Sequence, residues 1–321
     1  MSHVYVLVER AAGSGSGLSP VTAELITAAR PLGVVSAVVV GAPGEASSLA
    51  QELGALGAAQ VIDASAEDYS ARVITPEVDA LHALGSANPA PIVVAATTTG
   101  NEIAGRLGAR LGSGVLANVS AINADRSAAH QIFGGSYTTT AVAGGPCPIY
   151  TVRPGAVKAE PQPADAQLAP MPLPGASARD VTVTGFTPKT PADRPDLASA
   201  SVVVSGGRGV GSAEGYRDYV EGLADELGAA VGSTRDIVYD GWAAPETQVG
   251  QTGATVSPDL YIALGISGAI QHTSGMQTSG TIVAVNQDGD EPIFDIADIA
   301  AVGDVEDIVP ELISQLQARK G

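Results

Sequence analysis

QVGQTGATVSPDLYIALGISGAIQHTSGMQTSGTIVAVN, residues Gln248 to Asn286, holds two short aliphatic runs bordered by glycine, hydroxyl, amide and imidazole groups. The first, Leu260 to Leu264, predicts a buried strand of parallel type. It ends in Gly265-Ile266-Ser267-Gly268 and passes into a helical segment carrying Gln271 and His272. The second, Thr281 to Val285, predicts a strand that ends in Asn286. In open α/β sheets, ligands sit beyond the carboxyl ends of strands, where helix N-termini offer free N–H groups. Side chains that hydrolyse nothing by themselves but can hydrogen-bond around a large ligand point to a cofactor cradle.

Working outward, the same strand–loop–helix pattern recurs. Ser201 to Val204 predicts a strand that runs into the glycine-rich loop Ser205–Ser212 and a helix to about Leu227. Ala229–Val231 adds a strand, and Ile308–Ala318 a closing amphipathic helix with Pro310 in its first turn. In the first half, Val4–Val8, Ser36–Val40, Gln60–Asp63 and Ile92–Ala96 read as strands. Segments around Leu18–Arg30, Glu45–Leu56, Val73–Leu84 and Asn101–Leu111 read as the helices between them, the rhythm of a parallel sheet. From Val115 to Val152 short β-rich pieces suggest an antiparallel extension of that sheet. Eleven of the 21 prolines fall between Pro146 and Pro195, so that region is not regular helix, although Val181–Phe186 is expected as an edge strand. The fold class is therefore α/β, in two domains, each with a mainly parallel sheet flanked by helices. The boundary falls near Pro195, giving domains 1–195 and 196–321.

Composition limits the function. Among 321 residues 45% are apolar but only 4% aromatic, so the core is built from Ala, Val, Ile and Leu, as in stacked α/β layers. The formal charge is −18, with 34 acidic against 16 basic residues, which disfavours a nucleic-acid partner. The single cysteine, Cys147, allows no intramolecular disulfide and reads as a small packed residue. No run of apolar residues is long enough to span a membrane and no signal peptide is evident, so a soluble, cytoplasmic protein is expected.

Each motif that suggests other chemistry fails on a particular residue. The Ser205–Ser212 loop follows a strand and opens a helix, and Arg208 at its centre favours an anion site. It lacks the lysine of a P-loop and the spacing of G-x-G-x-x-G, which disfavours nucleotide hydrolysis and a standard dinucleotide fold. Gly265-Ile266-Ser267-Gly268 is not a nucleophile elbow, because Ala269 stands where that motif needs glycine. His272, five residues beyond Ser267 on the same expected helix, would point to another face. The four histidines are isolated and form no metal-ligand pattern.

At these residues the chain resembles the alpha subunit of electron transfer flavoproteins. The likeness is densest in VGQTGATVSPDLYIALGISGAIQH, Val249–His272, and TIVAVNQDGDEPIFDIADIAAVGD, Thr281–Asp304. The first domain shares it more loosely, through TTTGNEIAGRLGARLGSG, Thr97–Gly114. The resemblance implies a Rossmann-like FAD-binding C-terminal domain and a non-hydrolytic electron carrier. It also implies a smaller beta subunit that completes a heterodimer and binds AMP. It places Arg208, Thr234, Arg235, Gln248, Val249, Gly250, Gln251, Thr252, Ser267, Gly268, Ala269, Ile270, Gln271, His272, Asn286 and Asp304 at the FAD. Thr252 would face flavin N5, His272 the pyrimidine side near O2, and Arg235 the ring. The Ser267–Gly268 turn would lie near the ribityl-phosphate region, and Asn286 and Asp304 near the adenosine half.

A cation about 4 Å from the flavin at an effective dielectric near 20 favours added negative charge by roughly 4 kcal/mol. That is on the order of 0.1–0.2 V for one electron. Arg235, with a protonated or hydrogen-bonding His272, would thus hold the flavin at its one-electron stage. The resemblance further implies donors among flavin dehydrogenases, notably acyl-CoA dehydrogenases, a membrane quinone oxidoreductase as acceptor, and a pivot of the second domain flanked by Pro188–Pro195. Two other readings remain open from the residues: a nicotinamide-linked or bifurcating flavin oxidoreductase subunit, and a non-redox adenine-nucleotide-binding module.

Overall fold

The computed structural model describes residues 3–10, 17–133, 135–178, 180–185, 187 and 194–320. The chain divides into two compact units, Met1–Ile132 with Thr138–Thr190, and Phe133–Tyr137 with Pro191–Gly321. The expected hinge flank falls, from Pro188 to Asp193, outside the described residues.

In the first unit β1 (His3–Leu7), α1 (Pro20–Ala29), β2 (Val34–Gly41), α2 (Glu45–Leu56), β3 (Gln60–Ser65), α3 (Thr75–Ala87), β4 (Ile92–Ala95) and α4 (Thr98–Leu111) alternate. There follow β5 (Val115–Val119), β6 (Ala121–Ile122), β7 (Ser127–Ile132), β8 (Tyr137–Val142), β9 (Ile149–Val152) and β10 (Gln167–Pro172). Seven strands form one parallel sheet in the order β10-β3-β2-β1-β4-β9-β5. Successive side chains enter opposite cores: Val4 and Val6 pack with Leu25 and Ile26 of α1, and Tyr5 and Leu7 with Leu81 of α3 and Ile103 of α4. Burial on both faces explains the uninterrupted aliphatic runs.

Two expectations are corrected here. The β-rich stretch does not extend the sheet antiparallel: β5 and β9 join it in parallel, while β6, β7 and β8 form a separate three-stranded sheet with β6 and β7 antiparallel. The edge strand is β10 rather than Val181–Phe186, where among the described residues only Thr182 forms a bridge, to Arg72. Proline is tolerated in β10 by parity. Gln167 and Leu173 donate their N–H groups to Ala59 and Ser65 on the β3 side. Pro170 and Pro172 therefore turn their missing donors away from the sheet, as an edge allows.

The second unit comprises β11 (Val202–Gly206), α5 (213–227), β12 (Ala230–Ser233), α6 (Arg235–Tyr239) and β13 (Leu260–Leu264), then α7 (Ile270–Thr273), β14 (Thr281–Asn286), β15 (Ile299–Val302) and α8 (Val305–Lys320). The middle of α5, Tyr216–Glu221, is π-helical, and the buried Tyr216 hydroxyl there donates to the Gly232 carbonyl at 3.1 Å. All five strands are parallel, in the order β12-β11-β13-β14-β15. This doubly wound order reverses direction between β11 and β13, and all five carboxyl ends lie on one edge. The closing helix begins at Val305, so Pro310 lies inside it rather than in its first turn. Asp304 caps that earlier start by accepting the Glu306 N–H at 3.0 Å, and Glu306 and Asp307 suit a helix N-terminus.

Candidate functional site

The carboxyl edge of the second sheet gathers the candidate residues from separate parts of the chain. Arg208 follows β11, Thr234 and Arg235 follow β12, Ser267 to His272 follow β13, Asn286 ends β14 and Asp304 follows β15. The loop Gln248–Thr252 precedes β13, yet it is drawn to the same edge: Gln248 bridges to Ser233, and the Val249 N–H donates to the Ser233 carbonyl at 2.9 Å.

Close backbone approach joins that loop to α7. The Gln251 N–H donates to the Gln271 carbonyl at 2.8 Å. A Cβ on Gly250, whose φ is +136°, would stand 2.3 Å from that same oxygen, and one on Gly275 would stand 2.4 Å from the Gly250 nitrogen. Gly268, at φ +88°, seats the β13–α7 turn against residue 293, whose N–H donates to the Ser267 carbonyl at 3.0 Å. Ser267 therefore lies before α7 (Ile270–Thr273) rather than on one helix with His272.

The glycines of the Ser205–Ser212 loop let two loops cross closely. A Cβ on Gly207 would meet the Gly265 carbonyl at 2.5 Å, and one on Gly209 the Gly265 Cα at 2.6 Å. The N–H groups of Gly207 and Gly209 donate to Leu264 and Gly265, and those of Val210 and Gly211 to carbonyls within the loop. These four donors are already satisfied, so the glycines serve the close crossing of two loops. The exposed Arg208 side chain turns to Asp236, 3.3 Å away.

Several candidates have their hydrogen-bonding capacity committed. Asn286 donates Nδ2–H to the Ile266 carbonyl and accepts the Asp288 N–H, and it is buried. Asp304 is a helix cap. His272 is only 5% exposed, with Nδ1 3.1 Å from the Val249 carbonyl and Nε2 2.9 Å from the Tyr261 hydroxyl. Burial pushes its pKa down to about 4, against a small opposing effect of the Val249 carbonyl. Burial thus favours the neutral form of the ring.

Other groups remain available at the edge. Gln251, Thr252, Ser267, Ala269, Ile270 and Gln271 are exposed. Thr252 Oγ accepts from Gln248 Nε2 at 2.9 Å, which leaves its own proton free to donate outward. Arg235 is exposed, forms no ion pair among the described residues, and lies over the Tyr239 ring with its guanidinium carbon 5.1 Å from the centroid. Ile270 and Tyr239 add exposed apolar surface. Sequence reading missed Tyr261, Gly275, Tyr239 and Asp236. Of these only Tyr261 carried a signal, since a tyrosine within an aliphatic strand needs a partner for its hydroxyl.

A doubly wound parallel unit with a donor-rich carboxyl edge, an unpaired guanidinium and adjoining apolar side chains suits a large planar cofactor bearing carbonyl and ring-nitrogen acceptors. Such a donor set fits an isoalloxazine. The unit belongs to the class of doubly wound α/β ligand-binding domains. The family model for "Electron transfer flavoprotein FAD-binding domain" matches residues 196–277, and that for "Electron transfer flavoprotein domain" matches residues 6–182. The chain is 51% identical over 322 residues to an electron transfer flavoprotein subunit alpha of Mycobacterium tuberculosis and 49% identical to that of Mycobacterium leprae, covering 100% of both chains each time. It is 38% identical to the Paracoccus denitrificans subunit, over 92% of this chain and 94% of the relative. The chain belongs to the electron transfer flavoprotein alpha-subunit family. It is thus one subunit of an electron-transferring flavoprotein heterodimer completed by a beta subunit. Among the described residues, no helix is long and apolar enough to cross a membrane.

Proposed function

We propose that this chain holds FAD along the carboxyl edge of its second sheet, with AMP in the partner beta subunit. It passes single electrons from flavin dehydrogenases, among them acyl-CoA dehydrogenases, to a membrane quinone oxidoreductase, and works in the cytoplasm. The observation that carries this reading is the convergence of exposed donors from three chain segments on one edge: Arg235, Gln251 with Thr252, and Ser267 with Gln271.

A bound flavin supplies one- and two-electron redox chemistry, and the protein supplies orientation and electrostatics. Thr252 offers its hydroxyl proton toward flavin N5. Arg235 presents the uncommitted cation of the edge to the ring and favours its reduced, more negative forms. The backbone around Gly250 and Gly268 admits close approach, and Ser267 lies along the ribityl-phosphate side. Val249, Ala269 and Ile270 contribute backbone and apolar contact. Gln248 orients Thr252, while Asn286 and Asp304 shape the adenosine side through the turns they cap. Arg208, paired with Asp236, borders the same edge.

The test is a 300–550 nm absorption spectrum of the chain co-purified with its partner, followed by stepwise reduction of the wild type and of Arg235→Gln. A bound flavin whose midpoint potential falls by about 40 mV or more in the variant is expected. That corresponds to roughly 1 kcal/mol from a solvated charge at about 4 Å. A colourless complex that FAD does not reconstitute overturns the reading.

A further inference from the structure

Two arginines follow strands at the carboxyl edge, and they are held in opposite ways. Arg208 Nη2 stands 3.3 Å from a carboxylate oxygen of Asp236, a contact that offsets its charge and occupies a donor. Arg235 has no carboxylate partner among the described residues, and its guanidinium carbon lies 5.1 Å from the centroid of the Tyr239 ring. These two residues open and close the five-residue helix α6, so they are four apart and share one face. Tyr239 is 73% exposed, so packing into a core is not what its ring serves.

The backbone beneath the pair is fixed at both ends. Before α6, the Thr234 N–H donates to the Gly206 carbonyl at 2.9 Å. After it, the Asp240 N–H donates to the Asp236 carbonyl at 2.9 Å, and the chain turns at Gly241 with φ +76°. The Trp242 N–H then returns to the Ile237 carbonyl at 2.9 Å. Ile237 itself is fully buried and anchors the opposite face of the helix. Tyr239 therefore stands on a short, pinned platform beside the strand end that carries Arg235.

We propose that Tyr239 is a positioning residue for Arg235, whose ring face holds the guanidinium at the carboxyl edge with its charge and N–H donors unspent. This rests on the flavin-carrier reading of the edge. A carboxylate would hold an arginine more strongly, but it would offset the charge and take up the N–H groups that a cofactor needs. An aromatic face attracts the same cation through its quadrupole and restrains its rotamers without either effect. At an exposed site that attraction favours the stacked arrangement by about two- to fivefold. Phenylalanine keeps the ring face, whereas leucine keeps apolar bulk without the quadrupole.

The first measurement is NMR of the heterodimer with labelled arginine in this chain alone, the Arg235 resonances being assigned by their loss in Arg235→Gln. The Arg235 side-chain protons are expected upfield through the ring current, a shift kept by Tyr239→Phe and lost in Tyr239→Leu. Resonances unmoved by Tyr239→Leu overturn the proposal. This contact needs no flavin, so its failure is separable from failure of the flavin reading. The second measurement is the flavin midpoint potential. Tyr239→Phe should leave it unchanged, and Tyr239→Leu should lower it by about half of the Arg235→Gln shift. Tyr239→Leu should add nothing in the Arg235→Gln background. An unchanged potential in Tyr239→Leu, an equal fall in Tyr239→Phe, or a fall that persists without Arg235 would each overturn the positioning role.

Discussion

At the scale of single residues, exposure and partnership divide the candidates on the carboxyl edge. Arg235 and Arg208 are both exposed cations, but Arg208 is paired with Asp236, whereas Arg235, among the described residues, has only the face of Tyr239. His272 is the opposite case, buried, and burial favours its neutral form. Its folded-state pKa is depressed to about 4 by burial, below the ordinary 6.5 of the unfolded chain. The folded state therefore binds fewer protons than the unfolded one. The stability from this residue is fully present above about pH 6.5 and is lost as pH falls toward 4, by up to about 3 kcal/mol. Urea unfolding at several pH values, followed through Trp242, the single tryptophan, should show a steeper acid loss for the wild type than for His272→Gln. Parallel pH profiles would count against a buried neutral imidazole.

At the scale of elements, short turns set the shape of the edge. The β13–α7 connection bends at Gly265 and Gly268, with φ of +60° and +88°. A Cβ at residue 268 would stand 2.2 Å from the Ile293 nitrogen, which is backbone and has little room to move. Gly268→Ala combines a left-handed φ with that collision and should cost at least about 2 kcal/mol in chemical denaturation. It should also weaken flavin binding more than tenfold, since Ser267 and Gln271 flank the same turn. A stable variant with unchanged affinity would show that the turn can relax without disturbing the edge.

At the scale of the whole molecule, two all-parallel sheets are each covered on both faces, and in the first unit the proline-rich segment is tied back by charge. Arg72 is almost wholly buried among Asp68, Asp79 and Asp180, and it donates to the Pro174 carbonyl at 2.8 Å. The Val183 N–H donates to the Ala71 carbonyl beside it. Replacing one partner of a buried ion-pair group leaves the others uncompensated. Arg72→Met should therefore destabilise the first unit by about 3 kcal/mol and expose the segment around residues 174–183 to earlier proteolysis. Unchanged melting and cleavage would mean that the prolines hold the segment without the ion pairs.

The aliphatic runs at Leu260–Leu264 and Thr281–Val285 were legible as strands because a strand buried on both faces leaves little choice of side chain. Glu45–Leu56 was legible as a helix through its apolar spacing and the glycines beside it. β15 escaped notice because Ile299 and Val302 are exposed at a sheet edge, where a short apolar run gives little pattern. The five-residue helix after β12 is too short to show a period.

Local sequence thus determined the type of most elements, the mainly parallel character of both sheets and the strand-end position of most candidate groups, since each depends on side-chain period and turn chemistry within a few residues. Only the tertiary structure decided which groups remain free to meet a cofactor. Arg208 turns to Asp236, Asn286 is committed to Ile266 and Asp288, and His272 is held between Val249 and Tyr261. Hydrogen-bond partners and desolvation come from segments far apart in the chain, and no local pattern encodes them.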